Sequence, residues 1–279
     1  MEVLFIADFF KDQLPGGGES NDNNLINYLG SCGVEVVKRN SQNIDSSNIL
    51  RYKKIIVGNF IGLSEKNKQT LIQQKNYLIY EHDHKYVATR DPSKFSNFNI
   101  PLHQIVNRDF YENAQCVVVL SKICKNILQQ AIPKAKVHNI GCSLWSNETL
   151  DFISSINKNT KKHNYCILKS NNPTKNYLKT KRLCDERGIR PLEIESPDYY
   201  QFLDLMNSSE CFIFLPTVLE TFSRVCAEAK MLNLNVKTIK KLIGFYSEDL
   251  SSLQGDLLIE SIRVKNQMAY KHFYDWTIS

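Results

Sequence analysis

The sequence has no apolar run long enough to cross a membrane. None of its stretches approaches the ~20 consecutive apolar residues that a transmembrane helix needs. The start, MEVLFIADFF, carries acidic residues at positions 2 and 8, which favours a buried first strand over an export signal. These absences predict a cytoplasmic protein.

Common metal and nucleotide motifs are also missing. None of the eight cysteines stands in a C-x-x-C pair, so zinc-finger and thioredoxin-like sites have no support. Most cysteines lie in apolar stretches, as free thiols do in a reducing compartment. The sequence has neither the dinucleotide fingerprint G-x-G-x-x-G nor a Walker P-loop, so dinucleotide-binding and ATP-binding classes lack their usual signatures.

The composition is that of an ordinary globular protein. With 42% hydrophobic and 10% aromatic residues, the 279-residue chain is neither disordered, collagen-like nor a coiled coil. The net charge of +6 permits an anionic ligand or a membrane surface and requires neither. The length favours two domains of about 140 residues, although one large domain also fits.

Short β-branched or aromatic runs alternate with helical patterns along the whole chain, which is typical of parallel α/β units. The predicted strands are Val3–Ala7, Glu35–Lys38, Lys54–Val57, Tyr77–Tyr80, Cys116–Leu120, Lys136–Ile140, Tyr165–Lys169, Leu192–Ile194, Cys211–Leu215 and Asn235–Thr238. The predicted helices are Asp22–Cys32, Ser64–Gln74, Lys122–Ala131, Thr174–Arg187, Tyr199–Met206, Phe222–Met231 and an amphipathic tail from Asp256 to Trp276. The polar stretch 157–163 predicts part of a linker between two α/β halves, with a ligand at the carboxyl ends of their strands.

The segment Pro15-Gly-Gly-Gly-Glu19 directly follows the first predicted strand and precedes the first predicted helix. Three glycines leave no side chain between the main chain and a ligand, and their amides beside a helix N-terminus suit an anion such as a diphosphate. A flexible turn explains the same residues equally well. Gly17 and Gly18 are therefore candidate binding residues that need support from elsewhere.

The segment CFIFLPTVLETFSRVCAEA, residues 211–229, carries the most specific pattern. It predicts a buried strand, a turn, Glu220 in the following loop, and a helix that begins at Thr221 or Phe222 with Glu228 two turns along it. Amides of residues 222–224 at the positive helix end would bind a phosphate, Glu220 would accept hydrogen bonds from sugar hydroxyls, and Glu228 would hold a ribose. The alternative is a surface glutamate and an ordinary helix glutamate, and it leaves the flanking strand and turn unexplained.

This segment resembles the signature of glycosyltransferase family 4, retaining enzymes of the GT-B fold. The signature runs Glu-Gly/Thr-Phe-Gly, an apolar residue, then Glu-Ala, and Glu220–Ala229 matches it with Ser223 in place of the usual glycine. The glycine loop is similar to the family's Gly-Gly-x-Glu. The resemblance implies two Rossmann-like α/β domains facing each other across a cleft, an acceptor-side domain over 1–150 and a donor domain over 151–279, with the final helix (about 262–279) crossing back.

Three further residues are assigned by the same resemblance. His82 matches the histidine that the family places against the donor sugar, with His84 as the alternative. Lys175 matches the second of two basic residues that hold the diphosphate. Lys169 takes the first place only with a one-residue shift and with Lys for Arg, which loses bidentate contact. A metal held by the two histidines would lack a third ligand, so no metal site is predicted.

The resemblance implies transfer of a hexose, best taken as glucose from UDP-glucose, to an acceptor hydroxyl with retention of configuration. Glu220 and His82 would act at the sugar; Gly17, Gly18, Lys169, Lys175, Thr221, Phe222, Ser223 and Glu228 would bind the donor. No cofactor is expected, because Asp-x-Asp, with which GT-A transferases hold a metal, is absent. The partners are the nucleotide sugar and a glycan, lipid or protein acceptor; peripheral membrane contact and a homo-oligomer stay open, and nucleic acid is not expected. The alternatives are a non-catalytic nucleotide-sugar-binding protein and a DNA-directed GT-B transferase.

Overall fold

The computed structural model describes residues 2–279, and the chain in it divides into two compact units. Unit 1 comprises residues 2–145 and Lys265–Ser279, and unit 2 comprises Ser146–Val264. Each unit contains its own parallel sheet, of six strands in unit 1 and four in unit 2 within the described residues. The predicted α/β class is confirmed.

The strands of unit 1 are short and, apart from the edges, buried. They are β1 (Glu2–Ala7), β2 (Glu35–Asn40), β3 (Ile55–Val57), β4 (Tyr77–Tyr80), β5 (Cys116–Val119) and β6 (Val137–Asn139). The helices of the same region are α1 (Gly17–Ser31), α2 (Ser46–Ile49), α3 (Glu65–Gln74), α4 (Arg108–Asn113) and α5 (Lys122–Ala131). Central strands such as Ile55–Val57 are covered on both faces, which is why they read as continuous apolar runs.

The strand order of unit 1 is β2-β1-β3-β4-β5-β6. Because β2 lies on one side of β1 and β3 on the other, the chain changes direction across the sheet between β1 and β3. In open parallel sheets this switch point leaves a crevice at the carboxyl ends of the two strands. The residues that follow β1 and β3 therefore occupy the place where a ligand is expected.

Unit 2 repeats this arrangement with fewer strands. Its elements are α6 (Asn147–Ile156), β7 (His163–Leu168), α7 (Tyr177–Asp185), β8 (Leu192–Ile194), α8 (Tyr199–Asn207), β9 (Ser209–Phe214), α9 (Arg224–Met231) and β10 (Asn235–Thr238). The order β10-β9-β7-β8 places its switch point between β7 and β9. The polar stretch 157–162 is a loop between α6 and β7 inside this unit.

The C-terminal helix α10 (Gly255–Ile278) belongs to both units, because its residues from Lys265 onward group with unit 1. Within unit 1, Tyr270 stacks on Tyr28 with ring centroids 4.4 Å apart, and Phe273 meets the Tyr80 ring edge-on at 4.9 Å. No helix in residues 2–279 is both long enough and apolar enough to span a bilayer.

Three predicted helix starts were wrong. Helix α1 begins at Gly17 rather than Asp22, because glycine is tolerated in a first turn and the acidic Glu19 there stabilises the turn. The predicted helix from Thr174 is a 3₁₀ turn, Pro173–Lys175, followed by α7, since left-handed Asn176 separates the two. Helix α9 begins at Arg224 rather than at residue 221 or 222.

A stacked histidine pair joins α10 to the last strand of unit 1. The His272 and His138 rings lie 3.8 Å apart at an angle of 10°. Burial and the neighbouring His138 lower the pKa of His272 to about 4, whereas Asp275 opposes the shift. Burial and Lys125 lower the pKa of His138. Both rings are therefore neutral in the folded chain at neutral pH.

We predict that stability falls as the pH drops from about 6.5 towards 4, because the unfolded chain then binds protons that folded His272 does not. The contribution of His272 to the free energy of unfolding should fall by about 1–2 kcal/mol between pH 7 and pH 5. Thermal unfolding of the wild type and of His272→Phe between pH 8 and pH 4.5 measures it. The exposed His103 supplies the control, His103→Gln. An equal pH slope in wild type and His272→Phe would contradict the prediction.

Candidate functional site

Lys175 and Glu220 form an ion pair at the switch point of unit 2. Lys175 lies in the segment that follows β7, and Glu220 lies in the segment that follows β9. The Lys175 Nζ atom is 2.8 Å from Glu220 Oε1 and 2.9 Å from Oε2. The two side chains are 28% and 13% exposed, so a ligand can still reach them. The structure thus brings together two residues that stand 45 positions apart in the sequence.

Backbone and amide contacts fix both segments. Asn176, with φ +57°, donates from Nδ2 to the Leu215 carbonyl at 2.7 Å, and the Thr217 N–H donates to the Thr174 carbonyl at 3.0 Å. On its other side, the Glu220 N–H donates to Leu242 O, and its carbonyl accepts from Gly244 N, both at 2.9 Å. The positions of the ammonium and the carboxylate are therefore set before any ligand binds.

Ser223 caps helix α9 in a left-handed conformation, with φ +72° and ψ +81°. Its carbonyl accepts hydrogen bonds from Cys226 N and Ala227 N at 3.2 and 3.3 Å. A positive φ costs an L-residue about 1–2 kcal/mol, whereas glycine adopts it readily. This conformation explains why glycine is usual at the corresponding position of the signature that the segment resembles.

The later helix start moves the predicted phosphate-binding amides. The first-turn N–H groups are those from Arg224 onward, not those of Phe222 and Ser223. The Phe222 side chain is buried, and its carbonyl accepts from Phe245 N at 2.8 Å. Thr221 is half-buried in the loop between Glu220 and the cap. The positive end of the helix therefore begins at Arg224, two or three residues further along the chain than the predicted start at Thr221 or Phe222.

Glu228 is buried on α9 and contacts two residues that the sequence analysis missed. The Tyr199 hydroxyl donates to Glu228 Oε1, and Arg224 Nε lies 3.5 Å from the same oxygen. Arg224 Nη2 also donates to the Tyr199 hydroxyl at 3.2 Å. Burial and the Glu228 charge raise the pKa of Tyr199 well above its usual value. Arg224 stands where the signature has an apolar residue, and that departure could have marked it as a functional residue. No sequence pattern marks Tyr199.

Lys169 does not share the carboxylate partner of Lys175. It follows the last residue of β7, and its Nζ atom lies 2.8 Å from Glu195 Oε2 in a half-exposed ion pair. The hydrogen bond to Glu195 and the charge of that carboxylate raise the pKa of Lys169. Its assigned role at the diphosphate stays a prediction.

His82 lies just beyond β4 in unit 1 and pairs with a residue of α1. Its Nε2 atom is 2.8 Å from Asp22 Oδ1, and the two side chains are 4% and 1% exposed. Gly18, one turn before Asp22 on α1, packs against the imidazole: a Cβ placed there would lie 3.5 Å from His82 Cγ. The structure therefore brings together Gly18 and His82, which the sequence had proposed separately, and adds Asp22.

The first turn of α1 already holds a carboxylate. The Glu19 side chain curls back so closely over Gly16 that a Cβ at position 16 would overlap its Oε2 atom. Burial raises the pKa of Glu19, while its own N–H, His82 and Asn59 oppose the shift. Gly17 is exposed at the start of the same turn. An anion bound at the amides of Gly17 and Gly18 would share this helix end with Glu19.

A buried ionic cluster lies next to His82 in the sequence, also within unit 1. Lys85 Nζ lies 2.8 Å from Glu81 Oε1 and donates to Asn59 Oδ1 at 3.0 Å, and Tyr111 donates to the other Glu81 oxygen. Burial alone would raise the pKa of Glu81, but the Lys85 ammonium and these hydrogen bonds hold it below its usual value. His84, the alternative candidate, lies in the same loop, and its Nδ1 atom is 3.2 Å from the Tyr86 hydroxyl. Lys85, Asn59 and Tyr111 carry no sequence motif.

Within residues 2–279, no group of three or more histidine, cysteine, aspartate or glutamate side chains could hold a metal ion. The prediction that no cofactor is required remains a prediction.

No protein-family model matches the chain, and no curated protein matches its sequence. Solved structures match it in fold. HepE from Anabaena in complex with UDP aligns over 99% of this chain and 100% of its own, with 15% identity and a TM-score of 0.54. The apo structure of OtsA aligns over 99% and 95%, with 6% identity and a TM-score of 0.56.

A third match is an alpha-glucosyltransferase in complex with UDP and a 13-mer DNA that contains an HMU base. It aligns over 99% of this chain and 94% of its own, with 10% identity and a TM-score of 0.50. Identities this low show a shared fold. The chain accordingly has the GT-B fold, built of two Rossmann-like α/β units.

We predict that Ser223→Gly stabilises the protein, because it removes the Cβ of Ser223, which makes the left-handed conformation of this residue unfavourable. The gain should be roughly 0.5–1 kcal/mol in the free energy of unfolding, after the larger entropy of glycine in the unfolded chain is subtracted. Urea unfolding, followed by a spectroscopic signal from unit 2, measures this change in the free energy of unfolding.

Ser223→Ala is the matched control. It removes the buried Ser223 hydroxyl but keeps the Cβ. If Ser223→Ala stabilises the protein as much as Ser223→Gly, the hydroxyl and not the backbone conformation is the source of the strain.

Proposed function

We propose that the chain is a glycosyltransferase that takes a sugar from a nucleoside diphosphate donor. The observation that carries the proposal is the Lys175–Glu220 pair, held at a switch point of a parallel sheet within a segment that resembles a donor-site signature. The fold supports it, because the matching structures of HepE and the alpha-glucosyltransferase contain UDP. Lys175 and Glu220 both lie in unit 2, so the donor is the substrate that these residues concern most directly.

The chemical problem in such a transfer is the departure of a diphosphate. Negative charge grows on the leaving group while positive charge develops on the sugar ring. In the proposal, Lys175 and the first-turn amides of α9 stabilise the leaving diphosphate, and Glu220 orients the sugar. Glu228, which contacts Tyr199 and Arg224, holds the ribose as the resemblance implies. His82 acts at the sugar as the resemblance implies.

The ion pair gives Lys175 two partners in succession. Without a donor, its ammonium is neutralised by both oxygens of Glu220. When a diphosphate binds, the ammonium contacts the phosphate oxygens as well, and the Glu220 carboxylate becomes available to sugar hydroxyls. One residue pair would thus couple arrival of the leaving group to orientation of the sugar.

The finer proposal is a family 4 enzyme that retains the configuration of glucose from UDP-glucose. The bond between the sugar C1 and the phosphate oxygen breaks, and the bond from C1 to the acceptor oxygen forms on the same face. The acceptor proton passes to the leaving phosphate oxygen, so the products are the glucoside and UDP. No pair of facing carboxylates is needed for this step, in contrast to glycoside hydrolysis.

A second candidate is a transferase that acts on DNA. The motivating observations are the alpha-glucosyltransferase solved with a 13-mer DNA and the charge of unit 1. Unit 1 carries 19 lysine and arginine residues against 14 acidic ones, whereas unit 2 carries 16 against 15. Excess positive charge on the acceptor-side unit suits a polyanionic acceptor. Duplex binding that weakens steeply with salt would favour this candidate over glycan, lipid or protein acceptors.

The proposed function predicts that UDP and UDP-glucose raise the melting temperature, because a ligand that binds the folded state stabilises it by mass action. A panel of uridine, guanosine, adenosine and cytidine diphosphates and their glucose conjugates gives the base. Incubation with UDP-glucose should then release UDP and glucose, or a glucoside if an acceptor is supplied.

Each outcome of the panel separates one alternative. Binding of UDP-glucose without any release of UDP, even with acceptors, identifies a non-catalytic binding protein. No shift with any of these nucleotides overturns the proposed function. A β-glucoside product would overturn retention and leave the donor assignment intact.

We predict that the two members of the ion pair affect UDP binding in opposite directions. Lys175→Met should weaken UDP binding about 10–100-fold, since a hydrogen bond to a charged group contributes about 1.5–3 kcal/mol. Glu220→Gln should bind UDP at least as tightly as wild type, because the competing carboxylate is gone, yet transfer glucose more slowly. Titration calorimetry with UDP measures both.

Lys181→Met is the control, because Lys181 forms a similar pair with Glu193, 2.5 Å apart, between α7 and β8. Equal loss of UDP affinity in Lys175→Met and Lys181→Met would remove the specific role of Lys175.

A further inference from the structure

The contact between Asp22 and His82 fixes the proton of the imidazole. A carboxylate oxygen accepts hydrogen bonds, so the His82 Nε2 atom, 2.8 Å away, carries the hydrogen. In the neutral ring Nδ1 is then the nitrogen that accepts a hydrogen bond. Asp22 therefore determines which chemistry His82 offers.

The ring is also held in place on its faces. A Cβ at position 18 would lie 3.5 Å from His82 Cγ, so only the Gly18 backbone faces the imidazole there, and the Tyr80 ring meets it edge-on with centroids 4.2 Å apart. Both Gly18 and Asp22 lie on α1, and Tyr80 ends β4. Orientation and tautomer of His82 are thus set by two neighbouring elements of unit 1.

Asp22 is unusual for a purely structural side chain. It is 1% exposed, and its Oδ2 atom has no hydrogen-bond partner within residues 2–279. A buried carboxylate with one oxygen unpaired is expensive to keep, because its desolvation is compensated by a single contact. An uncharged residue of similar size would pack there at lower cost, so the contact with His82 is what the carboxylate contributes.

We propose that Asp22 is a positioning residue for His82, which keeps the proton on Nε2 and fixes the orientation of the imidazole. The proposal rests on the proposed function, in which His82 acts at the sugar. Nothing in the sequence pattern assigns Asp22, since it lies outside the Gly-Gly-Gly-Glu segment.

Other charged groups surround the ring. Glu19 on α1 interacts with His82 and Asp22 through its charge, and Asn59 after β3 hydrogen-bonds to Glu19. Glu81 and Lys85, in the same loop as His82, neutralise each other. Asp22 is distinguished from them by direct contact with the imidazole.

The test is the tautomer of His82 measured by nitrogen NMR on the full chain labelled with ¹⁵N-histidine, at pH 8.5. The signal of His82 is assigned by its loss in His82→Gln. We expect a hydrogen on Nε2 and none on Nδ1 in the wild type. A hydrogen on Nδ1 overturns the proposal.

Asp22→Asn should shift the ring towards a mixture of tautomers, because an amide can donate as well as accept. The kcat for UDP-glucose should fall about 10–100-fold, as when the partner that orients a functional histidine is removed, with KM little changed. Asp83→Asn is the matched control: it removes the same charge from the residue next to His82, whose side chain pairs with Arg90 instead. Asp83→Asn should keep both the tautomer and kcat.

The outcomes separate this inference from the proposed function. An unchanged kcat and tautomer in Asp22→Asn overturns the positioning role. If the wild type consumes no nucleotide sugar, the proposed function fails, and the wild-type tautomer together with its change in Asp22→Asn still decides whether Asp22 fixes the proton on His82.

Discussion

The electrostatic attraction between Lys175 and Glu220 is the interaction on which the proposed donor site depends. Two chain segments leave a parallel sheet at neighbouring strands, and the pair joins them across the switch point. The backbone around Glu220 is held by bonds to residues 242–244, so the carboxylate does not move freely with its loop. A site prepared in this way loses little entropy when a charged ligand replaces part of the pair.

The ion pairs of the two units differ in how deeply they are buried. Unit 2 leaves its ion pair within reach of solvent, so that a ligand can enter the pair. In unit 1, Glu81 and Lys85 are almost wholly buried and satisfied by Tyr111 and Asn59. Such an enclosed network is costly to break and suits a rigid support. The imidazole of His82 lies beside that support, where its orientation is controlled by packing as well as by Asp22.

The sequence predicted the strands well because parallel strands buried on both faces leave continuous apolar runs, as in β1 and β9. It missed the starts of α7 and α9, because each of these helices begins after a single left-handed residue. Asn176 and Ser223 have positive φ, and neither is a glycine that would have indicated it. Sequence spacing therefore extended α7 and α9 by a few residues at their N-terminal ends.

The site residues also divide into those that could be predicted from the sequence and those that could not. Glu220 and Lys175 could be proposed because each lies in a segment that resembles a known signature. Asp22, Tyr199 and Lys85 could not, because their roles arise from contacts between elements distant in the sequence. Asp22 contacts a residue 60 positions away, and Tyr199 contacts one 29 positions away. Such pairing depends on the strand order, which local pattern does not specify.

The division of helix α10 between the units bears on how the chain is made. Unit 2 is a continuous segment, whereas unit 1 needs Lys265–Ser279 to cover Tyr28 and Tyr80. During synthesis from the N-terminus, the first 145 residues emerge early but cannot complete their core until Lys265–Ser279 have been synthesised. Unit 2 can therefore fold on the ribosome before unit 1, although most of unit 1 is synthesised earlier.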